Sequence, residues 1–439
     1  MNTNNKQLTN DQITVGTAVM TNQCTVTRDS DDFIKDLDTY FKEHLSNQNF
    51  VVENSKMSLE DKNGTKIERH TVSWYTGNSS QTTKEKWEHS CTFVIPKHLA
   101  PKKHGLIVVN NGANIPNETI TDNYPLEVLK TIAHDTGILI VSVDKVPNQP
   151  IKINGENLYE DKLVATDILR YLDGQENNNP LIYFKMAGVV ILTDKLAREQ
   201  YPVVESYAIT SCSKQVIGAC LATQIYQPLQ TACMLNFAMD PRAMPILGDY
   251  LVELSAKNRM AIFGPILGPY LEVAKHDRRS LLNKLMSQPL SSQWIHTVMG
   301  DCDTTFHKSK VQKVLEHPKN SQGISTYEEI QADHKGIKQC INQQMIHFVL
   351  GINQPGCLIA MRNFNGKEIS LENLAKTLLA TDKTAETPAN DQSAHFFQAI
   401  ATLDDTAAGT CDDKKVVANE RLSPDLQTAL VKHQFSSQR

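Results

Sequence analysis

One stretch of the chain reads Tyr207-Ala208-Ile209-Thr210-Ser211-Cys212-Ser213-Lys214-Gln215, an apolar run that breaks into small residues and continues into helix-compatible sequence. This pattern is typical of a nucleophile elbow, in which a strand turns sharply into a helix and the turn residue projects its hydroxyl. Glycines usually flank the nucleophile at two positions, and here Ser211 and Gln215 occupy them. A serine before a helix is equally typical of an ordinary helix N-cap. On this stretch alone the cap is the preferred interpretation.

Short apolar runs alternate with amphipathic segments on both sides of this stretch. The predicted strands are 106–109, 138–143, 181–184, 207–210, 233–237 and 294–299. The predicted helices are 125–134, 159–171, 186–199 and 216–225. Such alternation is typical of a parallel sheet covered by helices. We therefore expect an α/β protein with a doubly wound, mostly parallel sheet.

The chain divides into three predicted segments. Residues 1–30 form a polar N-terminal segment, and 31–352 form the α/β domain. This domain is expected to carry a helical cap at 240–290, where Gly-Pro pairs interrupt a sequence rich in Leu, Met and Lys. Its first part predicts a helix and then antiparallel strands at the edge of the sheet, over residues 31–44, 51–58, 65–75 and 91–95. Residues 353–439 form a C-terminal extension, interpreted as a small β-rich domain with a flexible loop.

Composition narrows the class of protein. The 439 residues are 40% hydrophobic and 21% charged, with a net charge of -5, as expected for a soluble globular protein without a basic face for nucleic acid. The sequence contains no apolar run of about 18 residues and no apolar segment near the N-terminus, so we expect neither a membrane span nor a cleavable signal peptide. The 9 cysteines include no CxxC pair, and neither a zinc site nor a disulfide scaffold is predicted. We expect a cytoplasmic protein, or one exported without an N-terminal signal peptide.

Several short motifs follow one another in a defined order. They are Trp87-Glu88-His89, Asn111-Gly112-Ala113-Asn114, Val146-Pro147-Asn148-Gln149-Pro150, Glu160-Asp161-Lys162-Leu163-Val164-Ala165, Lys185-Met186 with Asp194, and Ser213-Lys214. Across residues 70–350 this order resembles the PhoPQ-activated pathogenicity-related family, which also includes the autocrine proliferation repressor proteins. The most specific match is Val-Pro-Asn-Gln-Pro. The resemblance implies an α/β-hydrolase fold and a bacterial, virulence-related physiology.

The resemblance makes Ser213 the candidate nucleophile, at the position of the serine in the family's Gly-Ala-Ser-Lys-Arg-Gly-Trp motif. A serine nucleophile needs a base and an acid, and in this fold the chain order is nucleophile, acid, base. Asp301 matches the family's Gly-Asp turn, with Asp303 as the alternative acid. His334, just before an apolar helix at 337–350, is the candidate base. Without the family, His334 would be interpreted as a loop histidine.

Backbone N–H groups are the predicted oxyanion hole. One belongs to Lys214, and the second is expected from the loop after the strand at 106–109, where the candidates are Asn110, Asn111 and Gly112. A glycine there lets the backbone approach a substrate closely, although Asn-Gly is also an ordinary turn. Glu160 and Asp161 are interpreted as carboxylates that favour the start of a helix through its dipole.

These residues predict a serine hydrolase that acts on an ester or an amide, with no metal ion and no organic cofactor. Its partner is expected to be a small-molecule or peptide substrate, whose identity the sequence does not specify. The alternative is a catalytically degenerate member that acts as an exported signalling or host-interaction protein, with a host protein as partner. Because Ser211 and Gln215 replace glycines, we expect a widened or strained elbow. A strained Ser213 would indicate retained nucleophile geometry, and a relaxed one would favour the alternative.

Overall fold

The computed structural model describes residues 30–76, 85–100, 104–114, 123–172, 181–230, 232–239, 294–301, 324–332, 341, 344–346 and 348–349. The predicted cap and C-terminal extension lie outside these residues, as does the N-terminal segment apart from Ser30. In the described part of the chain, no helix is long and apolar enough to cross a membrane.

The described residues form a sheet of nine strands, which are β1 Val51–Glu60, β2 Lys66–Tyr75, β3 Lys86–Ile95, β4 His104–Val109, β5 Leu139–Val143, β8 Ser206–Cys212, β9 Met234–Phe237, β10 Trp294–Gly300 and β11 Ile324–Ile330. Their order across the sheet is β1-β2-β3-β5-β4-β8-β9-β10-β11. The pairings from β1 to β5 through β2 and β3 are antiparallel, and all pairings from β5 to β11 are parallel. A separate short hairpin pairs β6 Ile151–Ile153 with β7 Glu156–Leu158.

Helices cover both faces of this sheet. They are α1 Ser30–Tyr40, which continues as a π-helical turn Phe41–Leu45, α2 Leu126–Thr136, α3 Glu160–Leu172, α4 Ile182–Gln200 and α5 Gln215–Ile225, with a 3-10 turn at Gln227–Leu229. Alternate side chains of β4 point to opposite faces, as expected for a strand. Ile107 and Val109 join the core beneath α1, α3, α4 and α5, whereas Leu106 and Val108 join the core beneath α2.

The architecture is α/β-hydrolase-like, with a mostly parallel sheet between helical layers, as the sequence predicted. Five of the six predicted strands and all four predicted helices after residue 100 are confirmed. The antiparallel strands predicted at the first edge are confirmed as β1, β2 and β3. The predicted apolar helix at 337–350 is helical and buried wherever it is described.

The strand predicted at 181–184 is wrong, because these residues begin α4. This helix is buried on almost every side, so its sequence is apolar all round and the helical period is hidden. A short apolar run of this kind cannot be assigned by periodicity alone. The buried Asp167 carboxylate accepts the N–H of Ile182 at 2.6 Å and thereby caps the first turn. Strand β11 was not predicted.

Candidate active site

Ser213 lies in the sharp turn between β8 and α5. Its φ of 54° is in the left-handed region, which a residue with a Cβ seldom occupies and which costs about 1–3 kcal/mol. The backbone N–H of Ser213 donates to the carbonyl of Phe237 at 2.8 Å, and its own carbonyl accepts Val216 N–H at 3.0 Å. A helix N-cap has extended backbone angles, so the cap interpretation of Ser213 is wrong. The predicted strain is present at this residue.

The two residues that replace glycines are accommodated by different means. Ser211 is fully buried within β8, in register with Val109 on one side and Asn236 on the other. Gln215 is also buried, and its Nε2 donates to the carbonyl of Val146 at 3.0 Å. The turn from β8 into α5 therefore buries a side chain at both positions.

The loop after β4 runs beside the elbow, because the register pairs Val109 of β4 with Ser211 of β8. Asn110 braces this loop from within: its buried Oδ1 accepts N–H groups of Asn123 at 3.0 Å and Tyr124 at 3.3 Å. Its Nδ2 donates to Asp144 Oδ1 at 3.2 Å. Asn110 is therefore a structural residue of the loop.

The N–H groups of the loop differ in their availability. Asn111 N–H donates to the Asn110 side chain at 3.1 Å. Within the described part of the chain, by contrast, no residue accepts a hydrogen bond from the N–H of Gly112 or from that of Lys214. Gly112 has a φ of 144°, an angle that favours glycine. Of the three loop candidates, Gly112 is thus the one whose N–H has no acceptor among the described residues.

Asp301 follows β10 on the same edge of the sheet as Ser213. Its N–H donates to Ile330 O at 2.8 Å, and its Oδ1 accepts Ala332 N–H at 3.0 Å. One strand, β9, lies between β8 and β10, so the carboxyl ends of these two strands are about 10 Å apart across the sheet. Asp303 and His334 lie outside the described residues. The choice of acid and the contact between His334 and Ser213 stay predictions.

Lys214 directs its side chain into the protein, where its Nζ forms an ion pair with Glu160 Oε2. Burial lowers the pKa of Lys214 to about 7, and the Glu160 carboxylate favours the charged amine. Gln149 donates to the other Glu160 oxygen, Oε1, at 2.5 Å. Glu160 was predicted to favour the start of a helix through its dipole, and its contacts with Lys214 and Gln149 were not predicted. The signal in the sequence that could have pointed to these contacts is the motif Val-Pro-Asn-Gln-Pro, because it contains Gln149.

The motifs quoted from the sequence meet around this loop. Asn148 Oδ1 accepts Glu88 N–H at 3.0 Å, and Asn114 Nδ2 donates to Glu88 O at 3.0 Å. Val146 N–H donates to Asn110 O at 3.2 Å. Segments that are distant in sequence therefore support the same edge of the sheet as the elbow.

Comparison with known families agrees with these motifs. Residues 37–222 match the model of the PhoPQ-activated pathogenicity-related protein family. The predicted resemblance is confirmed over this segment. It contains Ser213, Lys214 and the loop with Gly112, whereas Asp301 and His334 lie beyond it. No curated protein sequence matches the chain.

Solved structures similar to this chain include several esterases. Acetyl xylan esterase 1 from a Thermoanaerobacterium species is 14% identical with a TM-score of 0.44, covering 72% of this chain and 93% of its own. The acetyl xylan esterase of Paenibacillus sp. R4 is 15% identical with a TM-score of 0.44, and the match covers 74% of this chain and 95% of the esterase. A serine hydrolase homologue from Coxiella burnetii is 10% identical with a TM-score of 0.33, and the match covers 60% of this chain and 92% of the homologue. Such low identities say nothing about a substrate.

His89, in the family motif Trp87-Glu88-His89, is completely buried. Its Nδ1 lies 3.0 Å from the carbonyl of Asp144, and because a carbonyl only accepts, Nδ1 carries the proton. Burial lowers the pKa of His89 to about 4. The neutral ring thus supports the end of β5 just before the Val-Pro-Asn-Gln-Pro loop.

Because the pKa of His89 is low in the folded protein, we expect the protein to lose stability in acid. Between pH 6.5 and about 4, the unfolded chain binds a proton that the folded chain excludes, so the free energy of unfolding falls as the pH falls. The full contribution is about 3 kcal/mol. Urea unfolding of the parent and of His89→Asn at pH 7 and pH 4 measures this pH-dependent part of the free energy of unfolding. The variant lacks the histidine, so its free energy of unfolding should fall less between pH 7 and pH 4. His134→Asn, at an exposed position, is the control. An equal pH dependence in parent and His89→Asn would contradict the prediction.

In the described part of the chain, no group of three or more His, Cys, Asp or Glu residues could hold a metal ion.

Proposed function

We propose that this protein is a serine hydrolase of the α/β class that cleaves an ester or an amide through Ser213. The observation that carries the proposal is the left-handed Ser213, with a φ of 54°, in a turn that directly joins a central parallel strand to a helix. Strain of this kind persists only where surrounding structure enforces it, and it is concentrated at functional sites. The altered flanks have therefore not relaxed the backbone on which nucleophilic attack depends.

In the proposed reaction, Ser213 Oγ attacks the carbonyl carbon of the substrate while His334 accepts the hydroxyl proton. The carbonyl oxygen becomes an oxyanion held by the N–H groups of Lys214 and Gly112. His334 then gives its proton to the leaving alcohol or amine, which departs and leaves an acyl group on Ser213. Water, deprotonated by the same histidine, releases the acid and restores the serine. Asp301 holds the histidine in the required tautomer throughout.

The site lies at the carboxyl edge of the parallel strands, where α/β proteins bind their ligands. Asp301 supports this arrangement because its carboxylate binds the backbone of Ala332, two residues before His334. The loss of elbow glycines favours the second candidate, a non-catalytic member with a signalling or host-interaction role. The two candidates differ in the reactivity of Ser213.

Labelling with a fluorophosphonate probe separates them. We expect covalent modification of the parent protein, mapped to Ser213 by mass spectrometry and lost in Ser213→Ala. Ser211→Ala is the matched control, because the Ser211 hydroxyl is buried and has no hydrogen-bond partner among the described residues. This control should fold and label like the parent. A cooperatively folded parent that takes no label would favour the non-catalytic candidate.

A further inference from the structure

Three side chains connect the two backbone segments that carry the proposed oxyanion donors. Gln149 Nε2 donates both to Gly112 O at 3.2 Å and to Glu160 Oε1 at 2.5 Å. Gln149 Oε1 accepts the backbone N–H of Glu160 at 2.7 Å. The remaining carboxylate oxygen of Glu160 forms the ion pair with Lys214 Nζ. We call Gln149, Glu160 and Lys214 the clamp.

The clamp is buried on one side and open on the other. Gln149 is fully buried, and the Lys214 side chain is 8% exposed, whereas the Glu160 side chain is 46% exposed. A buried ammonium is unfavourable unless a counter-ion accompanies it. Glu160 supplies that counter-ion, and it takes a left-handed backbone, with a φ of 48°, at the first position of α3. The sequence therefore maintains an uncommon backbone conformation at the residue that closes the clamp.

We infer that Glu160 is a positioning residue of the oxyanion hole: through Gln149 and Lys214 it fixes the separation and direction of the Gly112 and Lys214 N–H groups. The inference rests on the proposed function. Gly112 has no side chain to restrain it, so the hydrogen bond to its carbonyl limits rotation of its backbone. Lys214 contributes its N–H from the elbow, and the ion pair anchors the same residue to α3. Oxyanion stabilisation depends on donors that are fixed before the charge develops.

A purely structural ion pair would behave differently. Exposed ion pairs contribute little to stability, so we expect the loss of one to leave distant backbone undisturbed. The chain provides a matched example close to the clamp, since Glu156 pairs with Lys162 at 2.5 Å while both side chains remain more than half exposed. Glu160→Gln and Glu156→Gln thus remove the same charge from two ion pairs near the start of α3. Only the first pair is linked, through Gln149, to the carbonyl of Gly112 in the loop after β4.

The test measures amide hydrogen exchange in peptides that contain residues 110–114 and 212–217, together with steady-state hydrolysis of 4-nitrophenyl acetate. In Glu160→Gln we expect faster exchange in both peptides and a fall in kcat of about 10- to 100-fold, with KM changed less than about twofold. Glu156→Gln should match the parent in exchange and in kcat. If Glu160→Gln folds poorly, Lys214→Met combined with Glu160→Gln removes both charges together and leaves no unpaired buried ion. The double variant should show the same faster exchange.

Unchanged exchange in both peptides would overturn the inference, whether or not the protein is an enzyme. A raised KM with an unaltered kcat would also overturn it, because Glu160 would then be a substrate contact. Absence of fluorophosphonate labelling in the folded parent counts against the proposed function instead. In that case the exchange comparison still decides whether Glu160 fixes the two N–H groups.

Discussion

Replacement of Asp301 by Asn is expected to lower kcat by about 10³- to 10⁴-fold with little change in stability, as expected for loss of the acid of a serine triad. Asparagine has nearly the same shape and keeps an oxygen that accepts the Ala332 N–H, now bound at 3.0 Å. It removes the negative charge that holds the imidazole in the required tautomer and stabilises the imidazolium. The variant therefore separates the proposed catalytic role of the carboxylate from its structural hydrogen bond.

Steady-state hydrolysis of 4-nitrophenyl acetate and thermal unfolding measure the two effects. Asp135→Asn is the matched control, since Asp135 is an exposed carboxylate near the end of α2, far along the chain from the elbow. We expect it to keep the parent's kcat. A large loss of kcat in Asp303→Asn with normal kcat in Asp301→Asn would assign the acid to Asp303 and contradict our choice.

Much of the fold could be predicted because buried parallel strands leave a direct signal. Strands β4, β5 and β8 are short apolar runs bounded by polar residues, and each is covered on both faces. The same signal failed at 181–184, since a helix buried on every side is also an apolar run. An apolar run indicates that a segment is buried. A helix can be distinguished from a strand only where apolar and polar residues alternate with a recognisable period.

The candidate site residues could not be named from local patterns alone. The elbow stretch by itself favours a helix cap, and Ser213 became the candidate nucleophile only through the family resemblance, with Lys214 and Gly112 following from the hydrolase fold that the resemblance implies. The clamp consists of contacts between residues that are far apart in sequence, and no spacing rule brings Gln149 to Glu160 or Glu160 to Lys214. The bond from Gln215 to the Val146 carbonyl is equally non-local. That bond satisfies the buried amide of the residue that stands where the elbow usually has a glycine.

Replacement of Gly112 by Ala is expected to lower kcat by about 10²- to 10³-fold, the cost of losing one oxyanion donor. A residue with a Cβ rarely adopts a φ of 144°, and the added carbon would lie 3.3 Å from both the Cα and the N of Lys145. Both neighbours are backbone atoms, so neither can swing aside. The loop must move, and the Gly112 N–H moves with it. KM should change little if this N–H acts mainly on the transition state.

Gly155→Ala is the control for backbone strain, because Gly155 also has a positive φ, of 84°, and no atom lies within 4 Å of the added Cβ. This glycine is in the turn between β6 and β7. Its substitution should cost about 1–2 kcal/mol of stability and leave kcat unchanged. Parallel measurement of kcat and urea unfolding in both variants distinguishes a displaced donor from general strain. A Gly112→Ala variant with the kcat of the parent would exclude its N–H from the oxyanion hole. The second donor would then have to come from elsewhere than the glycine after β4.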